Sequence, residues 1–315
     1  MGSRNTLRLP VIDFSTQELE WDLVKGQVRE ALEEYGAFEA LFDKVPNLEL
    51  WQAIFGTFEE IFDLPLEIKR RNVYRKSSLG YIGQSPVVPL YESIAVDRAN
   101  VLEKVDQGFT NILFPEGNPT LSKNIQSFTE QVAKLDEIIR RMILESFGLE
   151  KYMDEHLNST TYTLRGFKYT SPKTTESKVG LIPHQDKNMI SILYQLNEVD
   201  GLEIQTKDGE WISVKASPES FIVVIGESLH AWLNGRLSAV YHRVMMTGDK
   251  ARYSLGLFSV AKDGYLVKAP EEMVDEEHPL LYKPFDFAKF LEYLGNNRKQ
   301  GGQKVELTLK AYCGA

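Results

Sequence analysis

The sequence predicts a mainly β protein with flanking helices, in which a helical first half leads into a sandwich or barrel. Two patterns and one absence carry this expectation. From about residue 160 the apolar runs are short and bounded by turn residues, as in all-β architectures. Before that point, apolar residues recur at steps of three and four, the helical period. No Pro/Gly/Ser-rich linker divides the 315 residues, so one domain over 1–315 is expected. Its parts are a mostly helical region at 1–158, a β core at 159–270, and a C-terminal segment with a helix at 271–315.

The elements follow in order. "LRLPVIDF" (7–14) reads as a short strand. Trp21, Val24, Val28, Leu32 and Tyr35 define an amphipathic helix over 21–36, with Gly36 placed to end it. "AFEALF" (37–42) reads as a strand. Leu48, Leu50, Trp51, Ile54, Phe55 and Phe58 carry a second helix over 47–63. Residues 64–118 are weakly patterned and read as a long loop, which in a compact domain is usually functional. Ile125, Phe128, Val132, Leu135, Ile138, Ile139, Met142 and Ile143 form one stripe of a helix over 120–147. The short runs that follow are "YTLRGFKY", "MISILYQL", "GLEIQT", "EWISV", "SFIVVI", "AVYHRVMM" and "RYSLGLFSV". "KDG" (207–209) and "NG" (234–235) are hairpin signals. A last helix is expected near 285–296.

Composition limits the function. Forty-three per cent of residues are hydrophobic, and the formal net charge is −9. Such a chain has no general attraction for phosphate backbones or anionic lipid, so neither nucleic acid nor a membrane is an expected partner. The lone Cys313 allows no internal disulfide, which fits a reducing compartment. The N-terminus has no apolar signal region, and no stretch approaches the ~20 apolar residues of a spanning helix. "MGSRNT" matches the myristoylation pattern only superficially. A cytoplasmic monomer acting on a small molecule is expected.

"HQDKN" (184–188) places His184 and Asp186 two apart, on one side of an extended chain. His242 lies farther on in "AVYHRVMM", where Val240, Val244 and Met246 share its parity. That face is apolar, so the imidazole points inward and needs a partner; leaving it bare costs ~1–3 kcal/mol. Two histidines and one carboxylate match the facial triad that holds non-haem Fe(II) with open positions. Taken alone, the same residues also fit a solvated turn and a satisfied core histidine.

"RYSLGLFS" (252–259) bears on the choice. Parity puts Arg252, Ser254 and Phe258 on one face, and Tyr253, Leu255 and Leu257 on the other. If the first face is inward, Arg252 needs an anion. A carboxylate fits its fork, and Ser254 can add a hydrogen bond. A 2-oxo diacid that chelates iron at one end and meets Arg252 at the other satisfies both demands. That molecule is 2-oxoglutarate.

With these residues in place, the chain is similar over nearly its whole length to plant 2-oxoglutarate/Fe(II)-dependent dioxygenases. "LPVIDFS", "VREALEEYGAFEALFDKVP", "PLEIKRRN", "GYIGQ" and "LYES" follow the family's order. So do "HQD", "WLNGRLSAVYHRV", "RYSLGLF" and "VDEEHPLLYKPF". Within the family it most resembles the oxygenases that form alkenyl- and hydroxyalkyl-glucosinolates and those that hydroxylate steroidal alkaloids. The resemblance implies a double-stranded β-helix (jelly roll) core. It implies iron on His184, Asp186 and His242, and 2-oxoglutarate on Arg252, Ser254 and Tyr169. O2 would be co-substrate and ascorbate the reductant. Where the family usually has Asn-Tyr-Tyr-Pro-Pro, this chain has Phe167 for the asparagine and Thr170 for the first proline, which points to a more apolar substrate end. Phe258 and Phe167 are candidate substrate contacts, with Phe109 added on resemblance only. The implied activity is hydroxylation, desaturation, epoxidation or dealkylation of a small, largely apolar specialised metabolite. A metal-dependent hydrolase would leave Arg252 and Ser254 without a task, and a non-catalytic binding jelly roll would ordinarily have lost a ligand. His230 and His278 are expected to be structural and His156 solvated. Segments 79–96 and 285–296 are expected to cover the pocket.

Overall fold

The computed structural model describes residues 8–15, 20–42, 48–73, 80–299 and 308–315. "MGSRNT", and the predicted element ends at Leu7, Asn47 and Leu79, lie outside these. Among the described residues, one sheet has seven strands and a second has four. The strands are β1 (Val11–Asp13), β2 (Ala37–Leu41), β3 (Tyr91–Asp97), β4 (Thr160–Tyr169), β5 (Thr174–His184) and β6 (Ile190–Gln195), followed by β7 (Leu202–Gln205), β8 (Trp211–Ser213), β9 (Ser220–Ile225), β10 (His242–Gly248) and β11 (Arg252–Ala261). The large sheet runs β1-β2-β9-β6-β11-β4-β3, and the small one β5-β10-β7-β8.

Both faces of the large sheet are covered. Leu255 and Leu257 of β11 are buried on one face, in a core shared with Val132, Leu135 and Ile139 of helix Pro119–Ser146. The other face packs on the small sheet: Ala37, Ile222 and Val224 meet Leu202, Ile204 and Ile212. The strand predicted to have one core side therefore has two, and Arg252, Ser254 and Phe258 lie on the side between the sheets.

Local chemistry accounts for the helices. Helix Trp21–Tyr35 ends at Gly36, whose φ of 62° lets its N–H return to Leu32 O. A Cβ there would also come within 2.5 Å of Ser238 O. Helix Pro119–Ser146 starts with Asn118 accepting from Leu121 N and proline in the first turn.

The predicted loop over 64–118 is instead occupied by short helices and by β3. β3 escapes pattern reading because buried Ser93 interrupts its apolar run and Glu92 flanks it. β5 was also absent from the expected strands; most of its side chains are exposed and polar, so it carries no two-residue apolar alternation. "KDG" does turn between β7 and β8. "NG" does not make a hairpin: Asn234 (φ 46°) and Gly235 (φ 83°) follow helix Glu227–Trp232. There the Asn234 amide donates to Met273 O and Pro279 O, and its Oδ1 accepts from Leu281 N. His156, expected in solvent, is fully buried with its ring 4.5 Å from Trp232. Burial, then the nearby Arg140 cation, hold its pKa well below the ordinary histidine value.

Arg140 and Asp136 form a buried ion pair at 2.6 Å on the long helix. Arg140 also donates to Thr160 Oγ1 and Tyr162 Oη of β4, tying helix to sheet. Asp136→Ala would strand the guanidinium, so a loss of about 3–5 kcal/mol is expected. Urea denaturation checks this; a midpoint equal to the parent's would contradict it.

Candidate metal and cosubstrate site

A cavity of about 590 Å³ opens between the two sheets. His184 ends β5 and His242 begins β10, and antiparallel pairing sets them opposite each other with ring centroids 4.2 Å apart. Asp186 lies just beyond β5, in the loop before β6, rather than on a strand with His184 as the parity reading had it. Its Oδ1 is 3.7 Å from His184 Nε2, and its Oδ2 is 3.7 Å from His242 Nε2. One donor atom from each of the three residues lies within 4.8 Å of the others.

Hydrogen bonds aim these groups. His184 Nδ1 donates to Ile182 O at 2.9 Å, and His242 Nδ1 faces Val240 O at 3.5 Å. Protons on Nδ1 leave both Nε2 lone pairs turned toward Asp186. Burial, then the neighbouring His242, pull the His184 pKa down to about 4, so its ring is neutral at physiological pH. Burial opposes ionisation of Asp186. His242, His184 and the Ser191 hydroxyl outweigh it and keep the carboxyl below its ordinary value.

The loop carrying Asp186 is clamped from behind. Ser191 Oγ donates to Asp186 Oδ2 at 2.5 Å. The backbone N–H groups of Gly226, Glu227 and Ser228 donate to the carbonyls of Met189, Asp186 and Asn188. Lys187 Nζ lies 2.6 Å from Glu227 Oε2, an ion pair. Gln185 donates to Ala239 O at 2.8 Å, away from the cavity.

The second half of the constellation sits on β11. Pairing with β4 sets Arg252 opposite Tyr169 and Ser254 opposite Phe167. Arg252 is buried, its Nη1 donates to Ser254 Oγ at 2.8 Å, and its guanidinium carbon is 5.4 Å from the Tyr169 ring. Among the described residues, its buried Nε has no hydrogen-bond partner. Burial lowers the Arg252 pKa and raises that of Tyr169. The rest of the cavity wall is largely apolar. Phe167 and Phe258 meet edge-to-face at 6.4 Å. Ile82, Val87 and Val88 line it from the segment before β3, and Phe287 and Leu291 from helix Phe287–Lys299. Both segments expected over the pocket thus supply lining residues.

Phe109 is placed elsewhere. It is buried in the core beside the long helix and is not among the cavity-lining residues. The remaining candidates, His184, Asp186, His242, Arg252, Ser254, Tyr169, Phe167 and Phe258, all line one cavity. Sequence reading passed over Ser191, Gln195 and Arg165. Arg165 carried a readable signal: it shares parity with Phe167 and Tyr169 in "YTLRGFKY", as Arg252 does with Ser254. His230 is held structurally, between Leu237 O at 2.6 Å and Tyr282 Oη at 3.0 Å.

The chain matches two family models: the 2OG-Fe(II) oxygenase superfamily over residues 155–260, and the N-terminal region of non-haem dioxygenases in morphine synthesis over residues 9–111. It is 49% identical to an Arabidopsis thaliana protein named as a probable 2-oxoglutarate-dependent dioxygenase, AOP1.2, over 98% of this chain and 96% of that one. This chain belongs to the 2-oxoglutarate/Fe(II)-dependent oxygenases. Solved structures agree. The complex of 2-oxoglutarate with the dioxygenase for auxin oxidation 1 of Arabidopsis thaliana superposes with a TM-score of 0.77, at 27% identity over 86% of this chain and all of that one. JOX2 in complex with 2-oxoglutarate, iron and JA gives 0.76, at 26% identity over 90% and 84%. The protein is a 2-oxoglutarate-dependent dioxygenase, an enzyme of a family that uses Fe(II), 2-oxoglutarate and O2. Among the described residues, no helix is long and apolar enough to cross a membrane.

Gly226 has no room for a side chain, since a Cβ would collide with Asn188 O in the Asp186 loop. Gly226→Ala is expected to destabilise the enzyme by about 1–3 kcal/mol through overpacking. Thermal denaturation reads this, and an unchanged Tm would contradict the close packing.

Proposed function

We propose that His184, Asp186 and His242 hold Fe(II), and that Arg252, Ser254 and Tyr169 receive 2-oxoglutarate. The observation that carries this reading is a donor set at each end of one cavity. Two imidazole Nε2 atoms and a carboxylate converge at one end. At the other, the buried Arg252 has an Nε without an acceptor. Two imidazoles with a carboxylate suit Fe(II) and leave positions open. A carboxylate beside Arg252 would satisfy Nε. The Ser254 hydroxyl, which accepts from Arg252, keeps its own proton to donate.

When bound, ferrous iron, 2-oxoglutarate and O2 supply an oxidant able to remove hydrogen from an unactivated carbon, with release of succinate and carbon dioxide. The chain's own residues do the positioning. Ser191 and the Glu227 backbone N–H keep Asp186 in place. Ile182 O and Val240 O fix the imidazole orientation. Phe167, Phe258, Val88 and Leu291 give the substrate side an apolar wall, and a wall that excludes water strengthens the electrostatic contacts within.

The two-sheet architecture is read as a double-stranded β-helix, or jelly roll. The substrate is read as a small specialised metabolite with a large apolar surface, because the wall facing it is mainly aliphatic and aromatic. Hydroxylation is the proposed reaction, and desaturation, epoxidation or dealkylation would use the same site. A net charge of −9 supports the reading that the protein binds neither nucleic acid nor an anionic membrane surface, and the protein is read as a cytoplasmic monomer.

Succinate formation from 2-oxoglutarate, with Fe(II), ascorbate and a plant metabolite extract, tests the reading. Turnover stimulated by the extract is expected in the parent and lost in His242→Ala; turnover retained in that variant would contradict the metal assignment. Arg252→Met is expected to weaken 2-oxoglutarate binding by about 2–5 kcal/mol, the cost of removing one partner of a buried charge pair. An unchanged KM for 2-oxoglutarate would contradict the second assignment.

A further inference from the structure

Alternate residues of β4 face opposite sides of its sheet. Tyr162 and Leu164 belong to the helix-side core, and Gly166 lies against the Phe58 ring. Thr163, Arg165, Phe167 and Tyr169 line the cavity. Arg165 is taken up by Ser93 Oγ at 2.7 Å and Gly80 O at 3.4 Å. Thr163 has no such bonds. It is 2% exposed, and among the described residues its Oγ1 has no hydrogen-bond partner. The other buried threonines among those residues are all bonded. Thr57 donates to Ala53 O, Thr129 to Ile125 O and Thr160 to His156 O, and Thr110 accepts from Ser122 Oγ.

Among the described residues, two that line the cavity carry a buried side-chain polar atom without a hydrogen-bond partner: Arg252 through Nε and Thr163 through Oγ1. The first marks the cosubstrate end. The second stands well along the same ladder, since Arg252 is opposite Tyr169 and Thr163 is opposite Phe258. Thr163 and Tyr169 are six residues apart on one strand, which is about 20 Å. A five-carbon diacid held at Arg252 covers only part of that length. The Thr163 hydroxyl is left to the substrate side of the cavity.

The surroundings define what that hydroxyl suits. Phe258 lies across the ladder, and Val260, two residues farther along β11, also lines the cavity. On the other flank Asp97 of β3 stands opposite Thr163. Asp97 is paired with Arg98 at 3.3 Å and is not among the cavity-lining residues. A threonine hydroxyl can donate one hydrogen bond and accept others. An ion beside it would lose its hydration against an aromatic and an aliphatic wall. An uncharged oxygen, either a hydroxyl or a carbonyl, meets the need at far lower cost, and the rest of its molecule can lie against Phe258.

We propose that Thr163 is a specificity-determining residue whose hydroxyl hydrogen-bonds an uncharged oxygen, a hydroxyl or a ketone, on the part of the substrate remote from 2-oxoglutarate. This rests on the Fe(II) and 2-oxoglutarate assignment. The probes are indan-2-one, indan-2-ol and the parent hydrocarbon indane, titrated calorimetrically under argon into enzyme loaded with Fe(II) and 2-oxoglutarate. The quantity read is the affinity of each oxygenated probe divided by that of indane. Thr163→Val keeps the shape and removes the hydroxyl, and it is expected to lower this ratio about 5- to 100-fold, because the probe's oxygen is then buried without a partner. Thr163→Ser restores the hydroxyl and is expected to keep the ratio near that of the parent. A ratio unchanged in Thr163→Val, as for a hydroxyl that only binds pocket water, overturns the proposal. So does a parent that binds neither oxygenated probe. Thr163→Ala gives the same comparison if the valine variant does not fold. The visible absorption band of the anaerobic Fe(II)–2-oxoglutarate chelate separates the two levels. The band with an unchanged ratio sinks the role of Thr163 alone, whereas no band in the parent sinks the site assignment beneath it.

Discussion

The register of the β5–β10 ladder is the constraint on which the site depends. His242 stands opposite His184, and the same residue pairs with Ile204 of β7 on its other side. Side chains alternate with a period of two, so a slip of one residue would turn His242 out of the cavity. It would also expose Val244 and Met246, which lie buried with Tyr91, Phe167 and Tyr169 between the sheets. Packing of apolar neighbours thus enforces the geometry of the donor set. The β4–β11 ladder does the same on the opposing sheet, where its register joins Arg252 to Tyr169.

Between those two ladders lies a chamber whose chemistry comes from a few buried charges in apolar walls. A low local dielectric makes each charge more influential and more costly to leave unmatched. This is why the orphaned Nε of Arg252 is informative, whereas the same atom on the surface would mean nothing. The walls are completed by parts distant in sequence. The segment before β3 is bridged to it through Ile82 and Ser93. The C-terminal region is held by Asn234, which bonds to backbone groups between Met273 and Leu281. Helix Phe287–Lys299 then brings Phe287 and Leu291 to the cavity.

Much of this was legible in the residues. Amphipathic periodicity located the helices that begin at Trp21, Leu48 and Pro119, because each buries one stripe. Parity located the inward face of β11 and of β10, because an arginine or a histidine among buried aliphatics demands a partner. What escaped notice did so for physical reasons. β5 is mostly exposed, so its sequence "TTESKVGLIPH" carries no burial signal even though it ends on His184. β3 is buried around Ser93, which makes its run look irregular. His156 looked solvated among polar neighbours, yet the fold packs it against Trp232. Phe109 was taken from resemblance alone, and burial in the helical core accounts for it. Arg165 obeyed the same parity argument as Arg252, and its place in the cavity became apparent only once β4 was seen facing the small sheet.

The central claim is that three side chains, from the end of one strand, the loop after it and the start of another, share one ferrous ion. Anomalous diffraction at the iron edge, from crystals grown under argon with Fe(II) and 2-oxoglutarate, measures this directly. The account predicts one strong peak bounded by His184 Nε2, His242 Nε2 and the Asp186 carboxylate. A peak held by other residues, or none between these three in an iron-loaded crystal, would contradict it.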